Sequence, residues 1–469
     1  MSVLRPLRLV TAGLVTALTV VIASPPAAAR ATVAAVHPIP MSGAQVLAQS
    51  LTPLSDADCL ALAGIHCYQP FQLQKAYDVA PLFGQGIDGR GRTIVIVDPF
   101  GSPTIEDDLK TFDQAFGLPD PPSFQIIQPA GAVAPFPEDP FGPFDRFAWA
   151  GETTLDVELA HVLAPGAKIL LVETPQSETE GVQGFPEIVQ AENFVIDHDL
   201  GDVISQSFGA PEPTFPNAQS ILDLRGAFVN ARQHRVTVLA SSGDHGAAGS
   251  QADGSCCLPI PAVEWPSVDP LVTSIGGTHV SLDEQGNRLS PDVVWNEPDF
   301  GSTGGGVSGV FDRPVFQHQV QDVVGAHRGM PDISLNAAGD GAAEFFASFP
   351  IPFSSNPTAL RPRFTLAIGT SEAAPLFAGL VALADQMAGV RLGFLNTRLY
   401  ELGRQHAPGI VDVTSGNNTF TFGSTTITGF TAGAGYDLAS GWGTVDAALF
   451  VPQLASSGGD DGQGDQDDT

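Results

Sequence analysis

The amino-acid sequence predicts an α/β fold in which a doubly wound parallel sheet carries helices on both faces. Short apolar, β-branched runs recur between turn residues, and the segments that separate them are long enough for helices. Strands of a parallel sheet are covered on both faces, so they read as continuous apolar runs. A chain of 469 residues, of which 43% are hydrophobic, can build the core that such a sheet needs.

The predicted elements alternate along the chain. Five runs are predicted to be buried strands: Thr93 to Val97, Ile169 to Val172, Val203 to Ser205, Val236 to Ala240 and Leu271 to Ile275. Four intervening segments are predicted to be helices: Ile105 to Phe116, Thr153 to Leu163, Ala218 to Arg232 and Ala374 to Met387. Functional residues of such sheets lie beyond the carboxyl ends of the strands. This rule directs attention to Asp98 and to segments 205–209 and 241–244.

The two ends of the chain differ in composition from the part between them. Residues 1–29 are typical of a secretory signal peptide, with Arg5 and Arg8 before an apolar stretch and alanines at 27–29. We expect an N-terminal extension over residues 30–67 and the main domain over 68–455. Residues 456–469 have no apolar side chain, so they are expected to form a disordered acidic tail. The mature protein is therefore expected to be secreted and extracellular, with no membrane attachment after signal cleavage.

The charge balance argues against a nucleic-acid partner. Asp and Glu number 51 against 20 Lys and Arg, which gives a formal net charge of −31. A surface of this sign repels a phosphate backbone.

The four cysteines are disulfide candidates if the chain is exported. A bond between Cys59 and Cys67 would close a short loop, whereas the adjacent Cys256 and Cys257 can form a vicinal bridge or pair elsewhere. Four cysteines allow three connectivities, and the sequence does not separate them. Their spacing matches no zinc-ligand pattern.

A serine at a predicted helix start is the sharpest local signal. Ser371 lies in the segment Gly369 to Pro375, ahead of the apolar helical run from Leu376 to Ala384. Backbone N–H groups and the positive end of the helix dipole at this place can stabilise an oxyanion. The structural alternative is a helix cap, because serine is a favoured cap residue.

Two acidic residues four positions apart could serve that serine as a base. Glu152 and Asp156 fall about 40° apart on a helix, whereas His161 falls about 180° from Glu152. Like charges so placed share a proton, which raises one pKa and produces a base suited to acidic pH. The alternative is an ordinary solvated helix face.

Two further aspartates follow apolar strands. Asp244 ends the segment Ser241-Ser242-Gly243-Asp244, and Asp98 follows Val97. The structural alternative for each is an Asx turn.

Taken together, these residues resemble the sedolisin family, the serine-carboxyl peptidases with a subtilisin-like fold. The resemblance rests on three motifs in the family's order: Gly-Thr-Ser-x-x-x-Pro at Gly369 to Pro375, Glu-x-x-x-Asp at Glu152 and Asp156, and Ser-x-Gly-Asp at Ser241 to Asp244. Further similar segments are Tyr68-Gln69-Pro70, Trp265-Pro266, Gly276-Gly277-Thr278, Gly304-Gly305-Gly306 and Pro331-Asp332-Ile333-Ser334. The resemblance covers about residues 68 to 453.

The resemblance implies peptide-bond hydrolysis through an acyl-enzyme at acidic pH. Ser371 would attack the carbonyl, Glu152 would take its proton, and Asp156 would orient Glu152 and share its charge. Asp244 would donate to the oxyanion, for which it must be protonated. Asp98 would support the carboxylate network. Ser207 and Gly209 would bind the substrate backbone, as strand addition requires.

The resemblance also implies one structural Ca²⁺ near the C-terminus. Asp412 and Asp437 would supply carboxylates, and Val413, Gly433 and Gly435 would supply carbonyl oxygens, which are the hard ligands that calcium prefers. Protein or peptide substrates are the expected partners, and a monomer is the expected state.

Two alternatives stay open from the sequence. One is a secreted, non-catalytic binding protein on the same scaffold, because only about forty residues separate the signal peptide from the main domain whereas sedolisins usually carry a large prodomain. The other is a subtilisin-type peptidase that uses Asp98, a histidine and Ser371. The sequence lacks the glycine-rich histidine motif of that type.

Overall fold

A computed structural model describes residues 48–138, 143–178, 182–251 and 256–456. The predicted signal peptide, residues 30–47 of the predicted extension and tail residues 457–469 lie outside the described residues.

The helices of the described part are distributed along its whole length. They are α1 (Asp56–Leu62), α2 (Pro70–Ala76), α3 (Ala80–Gly84), α4 (Ile105–Phe116), α5 (Pro143–Leu163), α6 (Phe185–Asp197), α7 (Ala218–Leu222), α8 (Gly226–His234), α9 (Gln321–Val324), α10 (Thr370–Ala388), α11 (Asn396–Arg404) and α12 (Ala447–Ala455). Two short 3₁₀ helices span Glu212–Thr214 and Val315–Val320.

The strands are mostly short. They are β1 (Cys67–Tyr68), β2 (Thr93–Pro99), β3 (Phe124–Ile127), β4 (Lys168–Thr174), β5 (Val203–Gln206), β6 (Ala210–Pro211), β7 (Thr237–Ser241), β8 (Glu264–Trp265), β9 (Thr273–His279), β10 (Val293–Val294), β11 (Asn296–Glu297), β12 (Gly301–Ser302), β13 (Gly306–Asp312), β14 (His327–Met330), β15 (Ile333–Asn336), β16 (Ala342–Ala347), β17 (Arg363–Ala367), β18 (Ile410–Val411), β19 (Phe420–Phe422), β20 (Thr425–Ile427) and β21 (Thr444–Val445).

Eight strands form the central sheet, in the order β10-β9-β7-β5-β2-β4-β3, with β15 also paired to β9. Every pair is parallel except β10 with β9. A separate three-stranded sheet has the order β1-β16-β17 and leads into α10.

Helices cover both faces of this sheet. Ile94 and Ile96 of β2 belong to the core that includes α5 and α10, whereas Val95 and Val97 belong to the core that includes α6 and α8. Alternate side chains of a strand point to opposite faces of the sheet, so one apolar strand contributes side chains to both cores. The prediction of a doubly wound α/β fold is confirmed.

The predicted elements are present with shifted bounds. Helix α4 has the predicted bounds, and α5 begins ten residues earlier than predicted. The single helix predicted over 218–232 is wrong, because the chain forms α7 and α8 with a break at 223–225. At the break Arg225 pairs with Asp269 (2.7 Å), a tertiary contact that a local pattern does not reveal.

The described part of the predicted extension packs onto the body of the fold. Cys59 and Cys67 form a disulfide and lie in one buried cluster with Leu366 and Ile368, just before the start of α10. The Leu54 N–H donates to Glu344 of β16. Residues 48–67 therefore contribute to the core behind α10.

Cys256 and Cys257 form the second disulfide, so each cysteine pairs with its nearest neighbour in sequence. Among the described residues, no helix is both long enough and apolar enough to cross a membrane.

Candidate active site

The predicted serine, Ser371, lies at the start of helix α10. Gly369 is the N-cap, with φ 111°, and Thr370 and Ser371 are the first two helical residues. Ser371 is completely buried, and its Oγ has no hydrogen-bond partner among the described residues. The helix-cap alternative is therefore wrong, since a capping hydroxyl accepts a backbone N–H.

Asp244 binds to the start of α10. Its Oδ1 accepts the Thr370 N–H (2.8 Å) and the Thr370 hydroxyl (2.9 Å). The partners lie 126 residues apart in sequence, so the local Asx-turn alternative does not hold for Asp244. Burial raises the pKa of Asp244 to about 7, although the two bonds from Thr370 lower it. At acidic pH this carboxyl is therefore neutral and can donate a hydrogen bond.

A glycine is required beside this carboxyl. A Cβ at position 369 would lie 2.4 Å from Asp244 Oδ2, and the positive φ also disfavours a side chain. Gly369 thus allows Asp244 to lie next to the backbone that carries Ser371.

Helix α5 supplies the acidic pair. Glu152 and Asp156 are both 0% exposed, so the solvated-face alternative is wrong. Asp156 Oδ1 accepts the Ser207 hydroxyl (2.9 Å). The pKa of Asp156 lies well above its usual value because of burial, and the nearby Asp98 and Glu152 raise it further. These carboxyls act on one another electrostatically, so they titrate as a group.

Asp98 completes the group from β2. It is 0% exposed, and burial raises its pKa to about 7. Strands β2, β5 and β7 are adjacent, so their carboxyl ends bring Asp98, Ser207 and Asp244 to one edge of the sheet.

Helices α5 and α10 run in the same direction. Helix α10 begins at Asp244, beyond the carboxyl end of β7, and is followed by Gly393, whose carbonyl accepts the hydroxyl of Thr237 at the amino end of β7. Helix α5 contacts Ser207 beyond the carboxyl end of β5, and the chain then enters β4 at Lys168. Both helices are therefore antiparallel to the strands and parallel to each other.

Their packing places the serine and the acidic residue toward the same end of the helix pair. A Cβ at Gly379 of α10 would lie 3.0 Å from the Leu163 Cβ and 3.2 Å from the Ala160 carbonyl oxygen of α5. Ser371 precedes this contact by eight residues, and Glu152 precedes it by eight to eleven, which is about 12 to 17 Å at 1.5 Å per residue. Glu152 and Ser371 therefore both lie toward the amino ends of adjacent parallel helices.

The histidine of α5 lies away from this group. His161 Nε2 is 2.7 Å from the Pro119 carbonyl oxygen and 3.4 Å from Asp113. Burial lowers its pKa to about 4, so it is neutral over most of the pH range. Within the described ranges no histidine bonds Ser371 Oγ, and this geometry gives no support to the subtilisin-type alternative.

Comparisons with known proteins agree with this geometry. No protein-family model matches the chain. Kumamolisin from Bacillus sp. (strain MN-32) is 32% identical over 398 residues, which cover 83% of this chain and 64% of kumamolisin. The solved structure of Pseudomonas sedolisin, described as a serine-carboxyl proteinase complexed with two molecules of pseudo-iodotyrostatin, matches 84% of this chain and 99% of that one, with a TM-score of 0.69 and 27% identity. The chain belongs to the sedolisin family.

Other members of the sedolisin family are similar over part of their length. Sedolisin from Pseudomonas sp. (strain 101) is 29% identical over 413 residues, and tripeptidyl-peptidase 1 from Homo sapiens is 29% identical over 321 residues. The alignments span 64% of kumamolisin, 64% of sedolisin and 51% of the human enzyme. The chain therefore spans less than two thirds of these relatives, which are serine-type peptidases.

In this sedolisin-family chain the predicted calcium ligands come from two loops that meet. The Gly435 N–H donates to Asp412 (2.8 Å), and the Gly433 N–H donates to Asp437 (2.9 Å). The Ser440 hydroxyl contacts both Asp437 (3.1 Å) and the Val413 carbonyl oxygen (3.4 Å). The donor set of carboxylates and main-chain carbonyls fits a hard cation.

Sequence reasoning missed two contributions to the site. Thr370 holds Asp244, and the side chain of Ser207, predicted only to bind substrate, holds Asp156. The position of Thr370 between Gly369 and Ser371 was visible, but its partner was not. Gly209 lies close to Glu264, whose carboxyl oxygen would be 3.0 Å from a Cβ at position 209.

Proposed function

We propose that this chain is a secreted serine-carboxyl endopeptidase that hydrolyses protein or peptide substrates at acidic pH. One observation carries the proposal: a buried carboxyl that is neutral at acidic pH lies against the helix start that presents Ser371. The buried acidic group of α5, toward the amino end of a helix packed parallel to α10, provides the base. A non-catalytic binding protein would not need this combination.

The proposed reaction uses the chain's own groups for each proton. Ser371 Oγ attacks the peptide carbonyl while Glu152 takes the hydroxyl proton, and Asp244 donates a hydrogen bond to the oxyanion. The C–N bond then breaks, and Glu152 returns the proton to the leaving amine. Water attacks the acyl ester on Ser371, and Glu152 takes a proton from the water. The ester C–O bond then breaks, Glu152 returns the proton to Ser371 Oγ, and the acid product leaves. Asp156 orients Glu152, and Asp98 supports the shared charge.

Substrate would bind as an added strand beside segment 207–209. Ser207 and Gly209 follow β5 at the carboxyl edge of the sheet, near Asp156 and Glu264. Backbone hydrogen bonds there would orient the scissile carbonyl toward Ser371. We expect the enzyme to act as a monomer.

The pH dependence of cleavage tests this proposal. Activity requires Asp244 to keep its proton while the Glu152–Asp156 group has lost one, so casein cleavage should follow a bell on the acidic side of neutrality. The alkaline limb should fall near pH 7, where Asp244 ionises. Glu152→Gln should abolish most of the rate at every pH, and Asp244→Asn should flatten the alkaline limb because the amide is never charged.

The control in the same pH series is Glu187→Gln, which changes a partly exposed residue of α6. This change should leave the bell intact. An alkaline optimum that survives Glu152→Gln but disappears in a histidine variant would indicate a subtilisin-type enzyme instead. No cleavage by wild type at any pH would favour the binding-protein alternative.

We also propose one structural Ca²⁺ at the two C-terminal loops. Asp412 and Asp437 would hold it with their carboxylates, and Val413, Gly433 and Gly435 with their carbonyl oxygens. Bound calcium would join the loop after β18 to the loop before β21 and so stabilise this end of the fold.

Calcium removal should lower the melting temperature. A ligand that binds only the folded state adds about 2.7 kcal/mol when its concentration is 100 times its Kd. We expect a chelator to lower Tm by several degrees in wild type and by much less in Asp412→Asn. Asp322→Asn, which changes an exposed carboxylate of α9, should respond like wild type. An equal Tm with and without chelator, together with no calcium in elemental analysis, would reject the site.

A further inference from the structure

We infer that Thr370 is a positioning residue that orients the Asp244 carboxyl so that its proton lies on Oδ2, the oxygen next to Gly369. The inference rests on the proposed function, in which Asp244 donates to the oxyanion. It concerns a residue that acts through Asp244, because both its N–H and its hydroxyl donate to that carboxyl.

The hydrogen bonds around Thr370 have a fixed direction. The Gly243 N–H donates to Thr370 Oγ1 (3.1 Å), so this oxygen acts as the acceptor for the backbone. The single hydroxyl hydrogen of Thr370 is then directed to Asp244 Oδ1 (2.9 Å). The Thr370 N–H donates to the same Oδ1 (2.8 Å). One residue thus supplies two donors to one carboxyl oxygen.

Two donors on Oδ1 leave the other oxygen to carry the proton. A proton on Oδ1 would point at a donor hydrogen, whereas Oδ2 receives no bond from Thr370. Oδ2 is also the oxygen nearer to Gly369: the Cβ position there is 2.4 Å from Oδ2 and 3.2 Å from Oδ1. The neutral carboxyl therefore presents its O–H toward the backbone that precedes Ser371.

Thr370 also affects the titration of Asp244. Its two donors favour the ionised carboxylate and lower the pKa of Asp244, against the larger effect of burial. The adjacent His245 stays neutral in the relevant range, because burial lowers its pKa to about 4. Other ionisable groups at this edge include Glu152 and Asp156 of α5 and Asp98 of β2, which act on one another, and Glu264 of β8 beside Gly209. Loss of the Thr370 hydroxyl should therefore raise the pKa of Asp244.

This gives Thr370→Val a specific signature. The Asp244 carboxyl loses one of its two hydrogen bonds from Thr370, so it is less well positioned and kcat should fall about 10- to 100-fold. At the same time the alkaline limb should move upward by about 1 pH unit, as expected when a hydrogen bond to a charged group is lost. Thr370→Ser keeps the hydroxyl and should have the wild-type kcat and the wild-type alkaline limb. Thr370→Ala provides the same test if the valine variant does not fold.

The experiment measures kcat against pH for wild type and the three variants, and the pKa of Asp244 by carboxyl ¹³C NMR. A fall in kcat with an unmoved alkaline limb would mean that Thr370 is merely structural, and a wild-type profile in Thr370→Val would also overturn the inference. The NMR measurement tests the role of Thr370 independently of the proposed peptidase function. If wild type has no peptidase activity, the proposed function fails, whereas an Asp244 pKa that does not change in Thr370→Val refutes the role of Thr370.

Discussion

Ser371→Ala is expected to lower kcat for peptide cleavage by at least about 10⁴-fold, because in the proposed mechanism it removes the oxygen that forms the acyl ester. Stability should change little. Ser371 Oγ has no hydrogen-bond partner in the described part of the chain, and Gly369 occupies the N-cap, so the variant loses neither a hydrogen bond nor a cap. The measurements are kcat at the acidic optimum and the melting temperature of the purified variant.

Ser102→Ala is the matched control for this variant. Ser102 is also buried, and its Oγ likewise lacks a hydrogen-bond partner among the described residues. It should keep wild-type kcat and a similar Tm. Wild-type cleavage by Ser371→Ala would contradict the assignment of the nucleophile, and a large fall in its Tm would show that the hydroxyl supports the fold.

The protein is expected to be markedly more stable at pH 5 than at pH 8. Several carboxyls outside the site are buried, and this burial raises the pKa of Glu192, Glu344 and Asp113 to about 8. A carboxyl whose pKa is raised by folding stabilises the fold below its unfolded pKa, and this contribution is lost as the pH rises through the folded value. Thermal unfolding between pH 4 and pH 8 measures the effect.

The acidic side of the stability profile has a limit. Burial lowers the pKa of His161 and His245 to about 4, so folding keeps these rings neutral. The unfolded histidines take up protons below about pH 6.5, which reduces stability as the pH falls toward 4. The buried carboxyls lose stability from about pH 4 upward and outnumber these two histidines, so the maximum should lie at about pH 4 to 5.

Glu192 allows a direct test of this explanation. It lies in α6, away from the carboxylates of the site, and burial alone raises its pKa. Glu192→Gln should be nearly neutral at pH 4 and should stabilise the protein by a few kcal/mol at pH 8, since one pKa unit corresponds to about 1.4 kcal/mol. Glu187→Gln, at a partly exposed position of the same helix, should show no such difference. An equal effect of Glu192→Gln at both pH values would refute the burial argument.

Local patterns were sufficient to predict much of the fold. The apolar runs that became β2, β4 and β5 are short, β-branched and bounded by turn residues, so the parallel sheet follows from composition and spacing alone. The Glu-x-x-x-Asp spacing placed both acidic residues on one face of α5, because helical geometry depends only on sequence separation. The position of Ser371 at a helix start was likewise a local property of glycine followed by a helical run.

By itself, the sequence determined the element types, the order of the motifs and the resemblance to the sedolisin family. Only the tertiary structure decided that Glu152 and Asp156 are buried, that Asp244 binds Thr370 across 126 residues, and that residues 48–67 pack behind α10. The tertiary structure also decided where the chain breaks between α7 and α8. The reason is physical: periodicity reports which face of an element is apolar, but burial and pairing depend on which elements pack together, and these contacts set the pKa values on which the chemistry depends.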